Sequence, residues 1–205
     1  FILSDSPPEK DIQWSDSGVV SANKFLQKIW NLNKSILDKK KSNSDAKEQE
    51  KFELKVDMCV DKIDKAISNF HLNVAIAQFY ELYKHFNEAI KIEINSEILT
   101  KNLIKFMNIM IPFTPHLAFE CLTNLNCEKT NNWPDINKKL LSNAKINMVI
   151  QVNGKTRDVI KIKKDVNEKE IFELLVKSSK AKKHIIDKKI SKNIFIKNKI
   201  INYII

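Results

Sequence analysis

The apolar residues of this chain repeat on one period up to about residue 127 and on another from about residue 146, and no single fold satisfies both. In the first region the spacing is helical. After the capping side chains of Trp14-Ser15-Asp16-Ser17, one stripe runs Ala22, Phe25, Leu26, Ile29, Trp30, Ile36 and Leu37, and a second runs Phe52, Val56, Cys59, Ile63, Ile67 and Phe70. A third runs Leu72, Ala75, Ile76, Phe79, Leu82, Tyr83, Phe86 and Ile90. A fourth starts near Ser96, carries Ile98, Leu103, Ile104, Met107 and Met110, and is stopped by Pro112, while Pro115 can open a short fifth helix through Leu122. Long helices joined by short polar links predict an antiparallel up-and-down bundle, with Trp14, Trp30 and Phe113 in its core.

From Ile146 the alternation is two-residue. Met148, Ile150 and Val152 share one face, Asn153-Gly154 is a hairpin signal, and Val159 to Lys163 returns as a second strand. Asn167 with Glu170 resembles a capping box opening a helix whose Ile171, Leu174 and Leu175 face inward, and a second helical segment is expected over 180–189. Strands over 193–197 and 199–205 close the chain about Asn198, which can take the left-handed conformation. The expected fold class is therefore multidomain, α plus α/β: an antiparallel helical bundle over 16–127, a linker over 128–144 containing Trp133-Pro134, and a small ββααββ domain over 145–205. Residues 1–15 read as a lead-in.

Charge divides along the same line. Residues 1–144 hold 19 lysines and 19 acids, for a balance of zero, whereas residues 145–205 hold 15 lysines, Arg157 and 6 acids, so 16 − 6 gives the whole net charge of +10. A polyanion is the partner such a tail attracts, because neutralising phosphates releases their condensed counterions. Two glycines, Gly18 and Gly154, cannot build a phosphate-cradling glycine-rich loop. The histidines His71, His85, His116 and His184 lack the helical pairing of zinc proteases, and Glu48, Glu50 and Glu53 read as a solvated face rather than an acid/base pair. Cys59, Cys121 and Cys127 lack metal-site or disulfide spacing and fit a reducing, cytoplasmic compartment. No apolar run reaches the roughly 18 residues of a membrane span. No catalytic, cofactor-binding or metal residue is expected. A start at Phe1 rather than Met is expected of a piece cut from something longer.

Three segments carry a family resemblance. Ser6-Pro7-Pro8-Glu9 with Ile12-Gln13-Trp14-Ser15-Asp16-Ser17-Gly18-Val19 is similar to the SPPE…EWSDxGV passage of leucyl-tRNA synthetases. Pro112-Phe113-Thr114-Pro115-His116-Leu117-Ala118, with Trp133-Pro134 downstream, resembles a pattern shared by the leucyl, isoleucyl and valyl enzymes. Val149-Ile150-Gln151-Val152-Asn153-Gly154-Lys155-Thr156-Arg157 resembles the VQVNGKxR hairpin of bacterial-type leucyl enzymes. The resemblance covers essentially the whole chain in the family's order. Asn198 stands where relatives often carry glycine, which the turn tolerates.

The resemblance implies a C-terminal fragment of a leucyl-tRNA synthetase, with an anticodon-binding-type bundle and a tRNA-binding terminal domain. The catalytic and editing domains, the HIGH and KMSKS signatures and the use of ATP would lie upstream, with residues 1–15 leading in from them. The implied partners are tRNA(Leu) and those upstream domains, with no DNA and no membrane. Within that frame Lys155 and Arg157, beside the first turn, are the leading tRNA contacts, Lys197 and Lys199 form a companion patch at the second turn, and Lys180, Lys182 and Lys183 are further candidates. Asn153 and Gly154 shape the turn. A lysine-rich surface suits recognition of folded RNA by shape and backbone. The competing reading is a free-standing or split-subunit RNA-binding module without catalysis.

Overall fold

The computed structural model describes residues 1–39, 44–127, 132–138, 141, 145–163, 165–186, 188 and 190–205. The chain divides into two compact units, Phe1–Asn137 and Lys138–Ile205. Of the expected linker, residues 128–131, 139–140 and 142–144 lie outside the described residues.

The first unit holds α1 (Ile2–Asp5), α2 (Asp16–Leu37), α3 (Ala46–Ser68), α4 (Leu72–Lys91), α5 (Ser96–Met110) and α6 (Pro115–Asn124). Side chains outside the helices fix where they start. Ser15 Oγ accepts from Gly18 N at 3.2 Å, Asp45 Oδ1 from Lys47 N at 3.2 Å and Asn95 Oδ1 from Glu97 N at 2.8 Å, while α6 begins on Pro115. The ends of α3, α4 and α6 are fixed by left-handed residues. Phe70, Glu93 and Asn126 have φ of 59, 56 and 52°, and the residue after each donates back into the last turn: His71 to Ala66, Ile94 to Ala89 and Cys127 to Leu122.

Contacts between helices give their directions. Phe52 against Phe86 at 5.2 Å, and Lys55 Nζ to Glu88 at 2.9 Å, set the start of α3 beside the end of α4, so the two are antiparallel. The pairs Glu53–Lys101 and Asp57–Lys105 keep a constant offset, so α3 and α5 run the same way. Phe25 stacks on Tyr80 at 3.9 Å and Lys39 Nζ reaches the Ile90 carbonyl at 3.3 Å, so α2 and α4 also agree. Directions therefore alternate from α2 to α5. The core between them contains Ile29, Val56, Ile63, Phe79, Leu82, Phe86, Leu103, Phe106 and Met107, each nearly or fully buried. Burial pushes the Cys59 and Cys121 thiols up to about 11, which leaves them inert packing groups.

Some expected core members are elsewhere. Trp14 is 68% exposed, because it precedes the N-cap of α2; its Nε1 donates to Asp16 Oδ1 at 2.7 Å and its ring meets Phe1 edge-on. Trp30 and Phe113 do pack against the core. Leu37 and Leu174 are exposed, and Phe70 leaves its stripe because the left-handed turn ending α3 swings it outward.

The second unit contains β1 (Lys145–Val152), β2 (Lys155–Lys163), α7 (Glu168–Ser178), a 3-10 segment (Lys180–His184), β3 (Lys192–Ile196) and β4 (Ile200–Ile204). The strands form one mixed sheet in the order β2-β1-β4-β3, with β1 and β4 parallel and both hairpins antiparallel. Met148, Ile150, Val152, Ile162, Ile201 and Tyr203 meet Ile171, Leu175, Ala181 and Ile185 in its core. The second helical segment expected over 180–189 is corrected to the short 3-10 turn; residues 187 and 189 lie outside the described residues. Asn167 does cap α7, its Oδ1 accepting from Glu170 N at 2.9 Å.

Candidate nucleic-acid interface

The first hairpin turns on Asn153 (φ 49°) and Gly154 (φ 74°), the two left-handed residues that a tight turn between right-twisted strands requires. The turn is fastened to the last strand: Gly154 N donates to Asn202 Oδ1 at 3.1 Å, and Asn153 Oδ1 accepts from Ile205 N at 3.0 Å. Both turn residues thus have structural work, as the sequence predicts.

Val152 faces Lys155 and Gln151 faces Thr156. Unbroken pairing would next set Ile150 against Arg157, turning the guanidinium toward the covered face of the sheet. The ladder instead skips Arg157, so that Ile150 pairs with Asp158, Met148 with Ile160 and Ile146 with Ile162. This is a β-bulge, and the side chains explain it: the extra residue puts Ile160 and Ile162 on the core face in place of Val159 and Lys161. Ile162 is buried accordingly, and Val159 is 50% exposed. The bulge leaves Arg157, the only arginine of the chain, exposed, and carries Asp158 to the covered face.

There the Asp158 carboxylate meets the start of the 3-10 segment. Its Oδ2 accepts from Ser179 Oγ at 2.6 Å and from Lys180 N at 2.7 Å, while Oδ1 accepts from Val159 N at 2.8 Å. Ser179 Oγ in turn accepts from Ala181 N at 3.0 Å. N–H groups at the start of a helical turn lack internal partners, so an anion is well placed there. The hydrogen bond from Ser179, then those from the Lys180 and Val159 backbone and the Lys180 charge, hold this carboxyl below its ordinary value despite partial desolvation.

The segment so attached carries Lys180, Lys182 and Lys183, all exposed, which with Ser179 and Ile186 line an open recess of about 410 Å³. His184 follows. Its imidazole is held below the usual histidine value by partial burial first and then by the charges of Arg157, Lys183 and Lys188, so these cations share one neighbourhood. The structure thus brings Arg157 together with the lysine-bearing turn, and Lys155 lies two residues away at the start of β2.

Lys197 and Lys199 lie elsewhere. Because β1 and β4 are parallel, with Val149 opposite Ile200 and Val152 opposite Tyr203, the two hairpin turns point to opposite ends of β4. At about 3.3 Å per residue their separation is on the order of 15–20 Å. Lys197 pairs with Asp165 at 3.0 Å, and Asn198, at φ 63°, clasps the same aspartate through both side-chain atoms. Sequence reasoning overlooked Asp158, Ser179, His184 and Lys188. The register conflict at Arg157 was the available signal for the first two; nothing local marks the others. Among the described residues no three histidines, cysteines or acids gather as a metal site, and no helix is long and apolar enough to cross a membrane.

Residues 49–172 match the family pattern described as the anticodon-binding domain of tRNA ligase. The chain belongs to that family. The match begins in α3 of this anticodon-binding-domain chain and ends in α7, so it crosses the boundary between the two compact units. The chain is 36% identical to a leucine–tRNA ligase of Wigglesworthia glossinidia brevipalpis and 33% identical to one of Buchnera aphidicola, in each case over 218 aligned positions covering 100% of the chain and 25% of the relative. It therefore spans about a quarter of the length of these curated relatives. Its fold matches a solved Agrobacterium radiobacter LeuRS in a ternary complex with tRNA and LeuAMS, at a TM-score of 0.78 and 21% identity over 99% of this chain and 27% of that one.

Proposed function

We propose that this chain is the tRNA-holding portion of a leucine–tRNA ligase, in which residues 16–127 form the anticodon-binding-type bundle and residues 145–205 the tRNA-binding terminal domain. The reading is carried by the likeness to leucine–tRNA ligases along the entire chain. The cation cluster around Arg157 adds a physical means, since side chains of that kind neutralise phosphates and position a folded RNA.

In this reading the chain performs no chemistry itself. Leucine, ATP and the editing reaction belong to other parts of a longer cytoplasmic enzyme, and this piece holds tRNA(Leu) rather than DNA so that its acceptor end reaches them. Arg157, Lys155, Lys180, Lys182 and Lys183 contact backbone phosphates at one site, with Lys197 and Lys199 as a second contact near the other hairpin turn. Lysine supplies a compact point charge, which suits recognition by shape; the single arginine offers a planar fork that grips a phosphate through two parallel bonds.

The test is equilibrium binding of the 205-residue chain to leucine tRNA and to a tRNA with a short variable arm. Preferential binding of leucine tRNA that weakens with salt is the expected result. Equal affinity for both tRNAs, or binding indifferent to salt, would overturn the assignment.

A further inference from the structure

An acid inside a phosphate-binding patch works against the patch unless it performs a task that no neutral residue can. Residues 145–205 hold only 6 acids, and one of them, Asp158, adjoins Arg157 in sequence. Both of its oxygens are engaged, Oδ2 by Ser179 Oγ and Lys180 N, and Oδ1 by Val159 N. We propose that Asp158 is a positioning residue for RNA binding: its carboxylate ties the lysine-bearing turn Lys180–His184 to the strand that carries Arg157, so that the two present one phosphate-binding surface. The proposal rests on the tRNA-holding reading above.

The turn needs such a tie. It is a five-residue 3-10 segment, anchored by buried Ala181 within it and buried Ile185 just after it, and 3-10 hydrogen bonds are poorly aligned. The bulge supplies the geometry. Without the extra residue, Asp158 would share the open face with Val149, and Arg157 would turn inward opposite Ile150. One inserted residue thus sends the acid to the turn and leaves the guanidinium outside.

Charge alone and the tie forecast opposite results for Asp158→Asn, which keeps the size of the side chain and adds one unit to a net charge of +10. If the acid merely repels RNA, the variant binds leucine tRNA more tightly and with a steeper salt dependence. If the acid is the tie, the variant binds about tenfold more weakly and its salt slope falls by about one or more, as lysines of the turn leave the surface. Ser179→Ala removes the hydroxyl's bond to Asp158, together with the one it accepts from Ala181 N, with no change of charge and is expected to weaken binding by a smaller factor; it also serves should Asp158→Asn fail to fold.

A second readout needs no RNA. Titration of His184 followed by NMR in the full chain separates the same two cases, because losing a nearby anion lowers an imidazole pKa, whereas release of the turn from Arg157 raises it. A raised His184 pKa with weakened tRNA binding, in a variant that keeps its unfolding temperature within a few degrees, is the expected result. Unchanged or tighter binding, or an unchanged or lowered His184 pKa, would overturn the proposal. If instead the unaltered chain itself fails to bind tRNA, the tRNA-holding reading falls and takes the RNA role of Asp158 with it, while the His184 shift still reports whether the tie exists.

Discussion

The two units use their charges in opposite ways. In the bundle unit, several lysines are paired with acids of the same unit, among them Lys55 with Glu88, Lys65 with Asp61, Lys101 with Glu53 and Lys105 with Asp57. Residues 1–144 balance at zero. In the tail unit the acids also serve the fold, since Asp158 anchors a turn, Asp165 joins two loops and Glu170 completes a cap. The cations outnumber them, however, by 16 to 6 over residues 145–205. The comparison teaches that position within a network, more than lysine content, separates a structural surface from a binding one.

The largest expected effect that sharpens this contrast lies in the bundle. Asp57 is 2% exposed; it pairs with Lys105 at 2.6 Å and accepts from Asn137 N at 2.9 Å. Asp57→Ala leaves a largely buried lysine unpaired and is expected to cost about 3–5 kcal/mol, read by chemical denaturation, with amide exchange in the tail unchanged. A loss below about 1 kcal/mol would mean that the pair behaves as an ordinary surface contact.

Acid titration probes the tail. The Asp158 carboxyl titrates below its ordinary value in the folded chain, so the stability it contributes is complete above the unfolded carboxylate value near 3.8 and is lost as pH falls through the lower folded value. Amide protection of Lys180 and Ala181 should therefore persist at pH 5 and fall in strong acid. Protection already lost at pH 5 would contradict the sign.

Next in size is Arg157→Ala. Loss of one phosphate contact should lower tRNA affinity by about five- to tenfold at 0.1 M salt and reduce the salt slope by about one. The same substitution at Lys65 or Lys101 should change tRNA affinity by less than about twofold, because those cations belong to the bundle's own pairs; a larger change would erase the distinction between the units. The smallest effect concerns a helix end. Phe70 is exposed and left-handed, so Phe70→Gly should stabilise the bundle by about 0.5–1 kcal/mol in thermal unfolding.

Much of this was legible in the sequence. Ser15, Pro115, Asn153-Gly154 and Asn167 act where local chemistry places them, because caps and turns depend on neighbours within a few residues. Three other features were not. Phe70 fits the helical stripe by spacing but sits two residues past the end of α3, where the His71 amide bonds back to the Ala66 carbonyl. The turn at 180–184 has lysines that suit an α-helix, yet beside its local cap Ser179 it is held by a carboxylate on a strand 22 residues away. The grouping of Arg157 with that turn depends on a bulge, and the bulge is chosen by Ile160 and Ile162 competing for the core face. Lys197 and Lys199 show the converse: both flank a turn, as Lys155 and Arg157 do, but the parallel pairing of β1 and β4 sends that turn toward the other end of the sheet.

The most direct test of the division between the units is the salt dependence of leucine tRNA binding for three forms of the 205-residue chain: unaltered, with Arg157→Ala and Lys183→Ala together, and with Lys65→Ala and Lys101→Ala together. The account predicts a slope lower by about two for the tail pair and unchanged for the bundle pair. Equal reductions in both would contradict it, because RNA would then be held by charge wherever it occurs.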